Sequence, residues 1–441
     1  MAGKTYSMGY IVFLSIVAAL GGILFGYDTA VISGTTDIVS GQFSLNELAT
    51  GWYVGCALIG SIIGVLVAGM LSDFLGRKKT MLIAALMFSI SAIGCALCKG
   101  FTDLVIYRMI GGFGIGVVSI VSPIYISEVA PAEKRGTLVS LYQLAITVGF
   151  LLAYLVNYLV LKNADTSLAE ADNAARESLP LSQRIFNSEY WRGMLGYETI
   201  PDLLFLILIF FIPESPRWLA VRGQRKDNSE EWKALKEPGI RLAVIVGSCI
   251  AILGQFMGVN AVLYYGPTIF KDAGFEDPLF STILVGVVNM LTTVIALLII
   301  DKVGRKQLVW WGVGGMIVCL LMIGLYFLPF THLPNWFMLT FFLLYVFCTA
   351  ISISAVVFVL LSEMYPNRVR GLAMSIAGFA LWVGTYLIGQ LTPWMLKNLT
   401  PAGTFFLFAF MCLPYLYIMW KYIPETTGKT LEEIESFWKK R

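Results

Sequence analysis

Apolar residues run through this chain in blocks long enough to cross a bilayer, and charges gather in the gaps between them. Between Lys306 and Glu363 there is no Asp, Glu, Lys or Arg, and the windows 80–98, 136–160, 242–270 and 278–300 are equally bare. A spanning helix needs about 20 such residues. The pattern predicts twelve spans, at roughly 9–34, 50–71, 80–98, 103–127, 137–160, 192–212, 242–268, 279–300, 308–328, 336–362, 372–395 and 402–422. The first is not a cleaved signal, because it is long, lacks a small-residue cleavage site and runs into the segment GYDTAVISG. One block stands apart. Gly254 to Pro267 reads GQFMGVNAVLYYGP, an apolar span interrupted by glycines and a proline and carrying Gln255, Asn260, Tyr264 and Tyr265. Amides are costly in hydrocarbon unless bonded, so this reads as a broken helix at a midplane substrate site.

The polar gaps repeat. Asp73–Phe–Leu–Gly–Arg–Lys78 recurs as Asp301–Lys–Val–Gly–Arg–Lys306, SExxPxxxRG occurs at Ser127–Gly136 and at Ser362–Gly371, and Pro213–Glu214 returns as Pro424–Glu425. All three pairs keep their order, which is the mark of two parallel six-helix repeats. The expected architecture is an all-α membrane protein with twelve transmembrane helices in two six-helix bundles: 1–213, then a cytoplasmic linker 214–241, then 242–441 with a cytoplasmic tail. The linker reads either as a short amphipathic helix on the membrane face or as a solvated segment.

Composition sharpens the class. Hydrophobic residues make up 58% and charged ones 13%, and the formal net charge is +3. Lys and Arg cluster after every even-numbered span, so those loops and both termini are expected in the cytoplasm. The excess positive charge is therefore a topology signal and does not suggest nucleic-acid binding. The seven cysteines lie in or beside spans and read as packing residues, Cys95 and Cys98 included, since no second ligand pair follows their CxxC spacing. His332, in a short outer loop, has no assigned role. No metal cluster, nucleophile–base pair or phosphate loop is present, so no enzyme, catalytic residue, metal or cofactor is expected. The glycines of RMIGGFGIG lie in a span and suit close helix packing better than a dinucleotide.

Charges inside the spans are functional candidates. Asp28 and Arg108 are the clearest, with Glu198 and Asp202 in span 6. A carboxylate poised between burial and a guanidinium can load and release a proton, although Asp28 could also cap the outer end of span 1. At the inner turns, Asp73, Arg77, Glu128, Arg135, Glu214, Arg217, Asp301, Arg305, Glu363 and Arg370 read either as ion pairs that latch and release the cytoplasmic side or as helix caps and positive anchors.

Together GYDTAVISG, RMIGGFGIG, PESPRWL, the paired GRK turns, both SExxPxxxRG segments, QFMGVNAVLYYGP and PETTGKTLEEIE resemble the sugar porter family of the major facilitator superfamily, most closely its bacterial proton-coupled xylose or monosaccharide symporters. The resemblance implies import of a pentose or hexose with a proton by alternating access. Other readings are a uniporter, a polyol or modified-sugar carrier, or a sugar receptor that does not transport. It implies proton coupling by Asp28, Arg108 and Glu198, and sugar binding by Gln143, Gln255, Asn260, Tyr264, Asn289 and Trp382, with Phe25 as an apolar wall. Amides both donate and accept, as sugar hydroxyls require. The expected setting is a bacterial inner membrane, the expected state a monomer, and the partners are the sugar, protons and the lipid bilayer, with no nucleic acid. Five positions in three spans depart from the family: Gly254 replaces an amide, Ser354, Ala355 and Phe358 replace a Gly-Pro break and a Trp, and Leu381 replaces a Gln. Fewer donors imply a sugar with fewer hydroxyls, another epimer, or weaker binding.

Overall fold

The computed structural model describes residues 7–131, 134–165, 178–221, 229–366, 369–424 and 431–439. Among these, twelve helices are long and apolar enough to cross a membrane. They are α1 (Met8–Gln42), α2 (Glu47–Leu75), α3 (Arg77–Leu97), α4 (Phe101–Val129), α5 (Arg135–Asn163), α6 (Trp191–Phe211), α7 (Pro238–Asp272), α8 (Pro278–Val303), α9 (Arg305–Tyr326), α10 (Asn335–Val357, helical on to Met364), α11 (Arg370–Asn398) and α12 (Thr400–Lys421). The predicted spans all find their helix. Several helices outrun the apolar blocks, because helix continues until a breaker or cap arrives. Thus α1 passes the polar Thr35–Gln42 stretch and stops before Ser44, whose φ is 49°, and Asn46 Oδ1 then accepts from Ala49 N at 2.9 Å to start α2. The linker contributes two short helices, Pro216–Val221 and Ser229–Ala234.

The helices form two compact units. The first holds Met1–Gly223 with Tyr264–Thr268 and Asp277–Gly286; the second holds Gln224–Leu263, Ile269–Glu276 and Val287–Arg441. In the first, α1 packs on α5, α2 and α3 on α4, and α3 on α6; in the second, α7 packs on α11, and α9 on α10 and α12. The pairings α1 with α5, α3 with α4 and α3 with α6 thus have counterparts in α7 with α11, α9 with α10 and α9 with α12, as a duplicated bundle should. The RMIGGFGIG glycines serve this packing: a Cβ at Gly112 or Gly116 would strike the carbonyls of Ala57 and Ser61 on α2.

α7 is broken where its sequence predicts, and α10 is irregular although it lacks the Gly-Pro break. α7 ends a first segment at Phe256, and Gly258 then takes a left-handed conformation, φ 87° and ψ 11°, before helix resumes at Val259. The break frees backbone groups, and Tyr345 Oη donates to Met257 O at 2.8 Å, as a dry interior demands. α10 contains a π turn over Ala350–Ser354. The missing Gly-Pro is therefore replaced by a shifted hydrogen-bond ladder, another recognised source of helix irregularity.

Gly258 tests the break. Gly258→Ala would force an L side chain into the left-handed region and push its Cβ into the Phe408 ring. A loss of at least about 1–2 kcal/mol is expected, seen as a lower thermal midpoint of the purified chain in detergent. An unchanged midpoint would argue against this backbone.

Candidate functional site

Unit one carries a charged pair in its centre. Asp28 lies well inside α1, not at its end, so it cannot be a terminal cap. Arg108 on α4 donates through Nη1 to Asp28 Oδ1 in a close contact and through Nη2 to Asp28 O at 3.2 Å. Asp28 is 1% exposed and Arg108 2%. Gly111, one turn past Arg108, makes room for them, since its Cβ would sit 3.1 Å from Asp28 Oδ2. Beyond the pair lie Glu198, 3% exposed at the turn that interrupts α6, and Asp202, fully buried one turn on. Glu198 is an electrostatic neighbour of both Asp28 and Arg108. Phe25 on α1 and Gln143 on α5 are half-buried in the same unit, and Tyr264 is buried there.

Unit two carries the amides. Gln255 and Asn260 stand on opposite sides of the α7 break, and the break lets them meet: Asn260 Nδ2 donates to Gln255 Oε1 at 2.5 Å. Thr385 on α11 completes the cluster. Its hydroxyl lies 3.2 Å from Gln255 Oε1 and 2.9 Å from Leu381 O, with one proton to share between them. Gly384 permits this approach, because its Cβ would crowd the Gln255 Cβ at 3.1 Å. Asn289 on α8 and Trp382 on α11 are buried in this unit. Thr385 was not among the sequence candidates; its signal is the spacing of one turn from Trp382 and Leu381, legible only once α11 is known to face Gln255.

The repeated turns fold alike. Gly76 has φ 97° and ψ 163°, and Gly304 has φ 99° and ψ 143°. Arg77 grips Glu128 with two bonds of 3.0 Å and also bonds Asp73 Oδ1 and Ser72 O at 3.0 Å. Glu214 accepts from the amides of Arg77 and Lys78 at 2.9 and 3.1 Å, a carboxylate placed on the helix N-terminus. In the second unit Arg305 Nη2 meets Glu363 Oε1 at 3.1 Å. These pairs each close within one unit. Arg217 is exposed. The side chains of Arg135, Asp301 and Arg370 lie outside the described set, as does Glu425, the counterpart of Glu214.

A further cluster escaped the sequence reading. Glu189, just ahead of α6, accepts from Arg184 Nε at 2.5 Å and Arg192 Nε at 2.6 Å, and from the Gln42 amide. Arg192 also donates to Cys98 O at 2.6 Å. The cluster ties the start of α6 to the ends of α1 and α3, which holds Glu198 and Asp202 in register. Burial alone would raise the Glu189 carboxyl, but the hydrogen bonds from Arg184 and Arg192 carry it below its ordinary value. Arg192 lies in the same segment as Glu198, but nothing in the sequence pairs it with Glu189 or Arg184, so only the fold brings them together.

The sugar (and other) transporter family model matches residues 14–234 and again 223–438. The chain is 38% identical to the D-xylose-proton symporter of Escherichia coli (strain K12), over 98% of this chain and 96% of that protein. It is 36% identical to the arabinose-proton symporter of Bacillus subtilis (strain 168), over 99% and 96%. The xylose transporter of E. coli in its inward-open conformation superposes with a TM-score of 0.80 at 37% identity, covering 97% of this chain and all of that one. The chain therefore belongs to this sugar transporter family and has the major facilitator fold. It is an integral multi-pass membrane protein that moves its substrate by alternating access, and it is not an enzyme.

The lowered Glu189 acidity sets a pH dependence. A carboxylate whose folded value lies below its unfolded one, near 4.5, stabilises the fold above that pH, and the contribution disappears as pH falls through the lower folded value. Glu189→Gln is expected to cost about 2 kcal/mol at neutral pH. The gap to the unaltered chain should close between roughly pH 5 and pH 3, as read by thermal melts in detergent. A gap that persists in acid would show that the charge of Glu189 does not matter.

Proposed function

We propose that this chain is a symporter that brings a monosaccharide, a pentose or hexose, into the cell with a proton. The observation that carries this reading is the closed Asp28–Arg108 pair inside a membrane-spanning bundle with Glu198 beside it. With Asp28 ionised, the pair is neutral and closed. A proton on Asp28 removes half of it and frees Arg108 for Glu198, so proton binding changes which groups hold α1, α4 and α6 together. A two-state bundle biased this way couples a proton to a conformational change. The names of the two relatives, both proton symporters of pentoses, support the same reading.

For the sugar, Gln255 and Asn260 leave the Gln255 amide nitrogen and the Asn260 carbonyl oxygen without partners among the described residues. They can donate to and accept from neighbouring hydroxyls. Sugar-binding roles for Phe25, Gln143 and Tyr264, and for Asn289 and Trp382, belong to this proposal. So do cytoplasmic termini, a bacterial inner membrane, a monomeric state, and a switching role for the arginine–acid pairs at the Gly76 and Gly304 turns, with Arg217 alongside. The positive loops after even-numbered spans support the orientation.

Asp28→Asn should abolish accumulation of D-xylose driven by a pH gradient in proteoliposomes while exchange of labelled for unlabelled sugar continues. Undiminished accumulation would overturn proton coupling through Asp28. The substrate itself is probed at Gly254, where an added Cβ meets only ordinary contacts, Ile353 Cγ2 at 3.6 Å and Tyr415 Cε2 at 3.7 Å. Gly254→Gln restores a donor worth about 1–3 kcal/mol to a buried hydroxyl. D-xylose or D-glucose binding should tighten at least about fivefold by calorimetry; no gain for either would mark a pocket shaped for another sugar.

A further inference from the structure

We propose that Asp202 is a second proton-binding carboxylate of this chain, acting with Glu198 one helical turn before it. The proposal deepens the reading of proton coupling through Asp28 and rests on it.

The geometry on α6 comes first. Asp202 N donates to Glu198 O at 3.1 Å, a helical step that places the two side chains as neighbours about 6 Å apart on one face. Both are withdrawn from water, and neither Asp202 oxygen nor Glu198 Oε1 has a hydrogen-bond partner among the described residues. A buried carboxylate normally answers its desolvation with donors or a cation. Here neither is supplied.

The surroundings make ionisation worse. α6 packs on α1 and α3, and its first turns also on α5, which carries no charged residue between Gly136 and Leu161. From α1, Asp28 faces Asp202, and the Tyr27 hydroxyl lies close to both acids but spends its proton on Met194 O at 3.2 Å. From α3, Cys95 is a neutral neighbour of Glu198. The cation that bears on Glu198 is Arg108 on α4, and it is closed on Asp28. Arg192, at the start of α6, is closed on Glu189 and the carbonyl of Cys98. Once the Asp28–Arg108 pair is set aside as neutral, Glu198 and Asp202 would carry two like charges one turn apart in an apolar bundle. An uncompensated buried ion costs several kcal/mol. Taking up a proton removes that cost. The chemistry is plain protonation: a carboxylate oxygen gains a proton delivered from water and later returns it, and only an O–H bond forms and breaks.

The test needs no sugar. The full chain, reconstituted in lipid vesicles, is titrated across the neutral range with infrared detection of the protonated-carboxyl carbonyl band, while a pH electrode counts protons bound per chain in detergent. The unaltered chain should show a protonated band that shrinks as pH rises. Asp202→Asn should lose part of that band and take up fewer protons over the same range. Asp202→Ser is read in the same way if the Asn variant does not fold, as judged by circular dichroism and size-exclusion elution. A band and a proton count that match the unaltered chain would overturn the proposal, and so would an Asp202-dependent band that does not respond to pH, since that acid would be permanently neutral. The two readings fail separately. Loss of accumulation in Asp28→Asn with no change in the Asp202 band removes only the second site. A changed band with full accumulation in Asp28→Asn removes the coupling through Asp28 and leaves a proton on Asp202.

Discussion

A charge inside a bilayer has no water to answer it, and the Asp28–Arg108 pair is how the first bundle meets that constraint. Each group would be prohibitive alone. Joined, they fix α1 against α4, and the helices around them adapt. Gly111 carries no side chain, which leaves room for the carboxylate. The glycines of α4 let its backbone approach that of α2 closely. The Glu189 cluster pins the start of α6, and with it the acids that face the pair. Little of this would be needed if α1 and α4 met through leucines.

The duplicated turns show the same physics at the other extreme of exposure. DxxGRK makes a tight reversal because glycine alone readily adopts φ near 97° between two helices. The following helix then presents unbonded amides and a positive dipole end. Glu214 answers those amides in the first unit, while Arg77 is drawn to Glu128. In the second unit the same glycine geometry and the Arg305–Glu363 pair recur. The motif thus encodes a local electrostatic solution that gene duplication could copy intact, because it depends on neighbours that were duplicated with it.

The amide cluster of α7 is a different solution. A helix satisfies its backbone internally and leaves little room for irregularity, so a break must be supported by neighbours. Tyr345 takes the freed Met257 carbonyl, and the left-handed Gly258 turns Asn260 back toward Gln255. The pair orders itself, with Thr385 beside it, and leaves the Gln255 amide nitrogen and the Asn260 carbonyl oxygen open among the described residues. Pre-ordering of this kind lowers the entropy lost on binding.

Most of the fold was legible in the chain. Twelve spans follow from the cost of unpaired backbone groups and charges in lipid, which no tertiary context can waive, and the repeated turn motifs declared the duplication. Asp28, Arg108, Glu198 and the broken stretch at Gly258 stood out for the same reason: polar or flexible residues in hydrocarbon are too costly to be incidental. Tertiary structure decided who meets whom. That Asp28 pairs with Arg108, that Thr385 reaches Gln255, that Glu189 gathers two arginines and that Asp202 gathers none among the described residues depend on helix rotation and register. Those are set by packing among many weak contacts and leave no local mark. Without the Gly-Pro break the sequence left the bend of α10 open, and the fold shows a π turn there, with Ser352 packed against Gly312. Hydrocarbon punishes each residue one at a time, so the sequence alone reveals what must be buried. Partners are chosen collectively, so only the folded bundle reveals them.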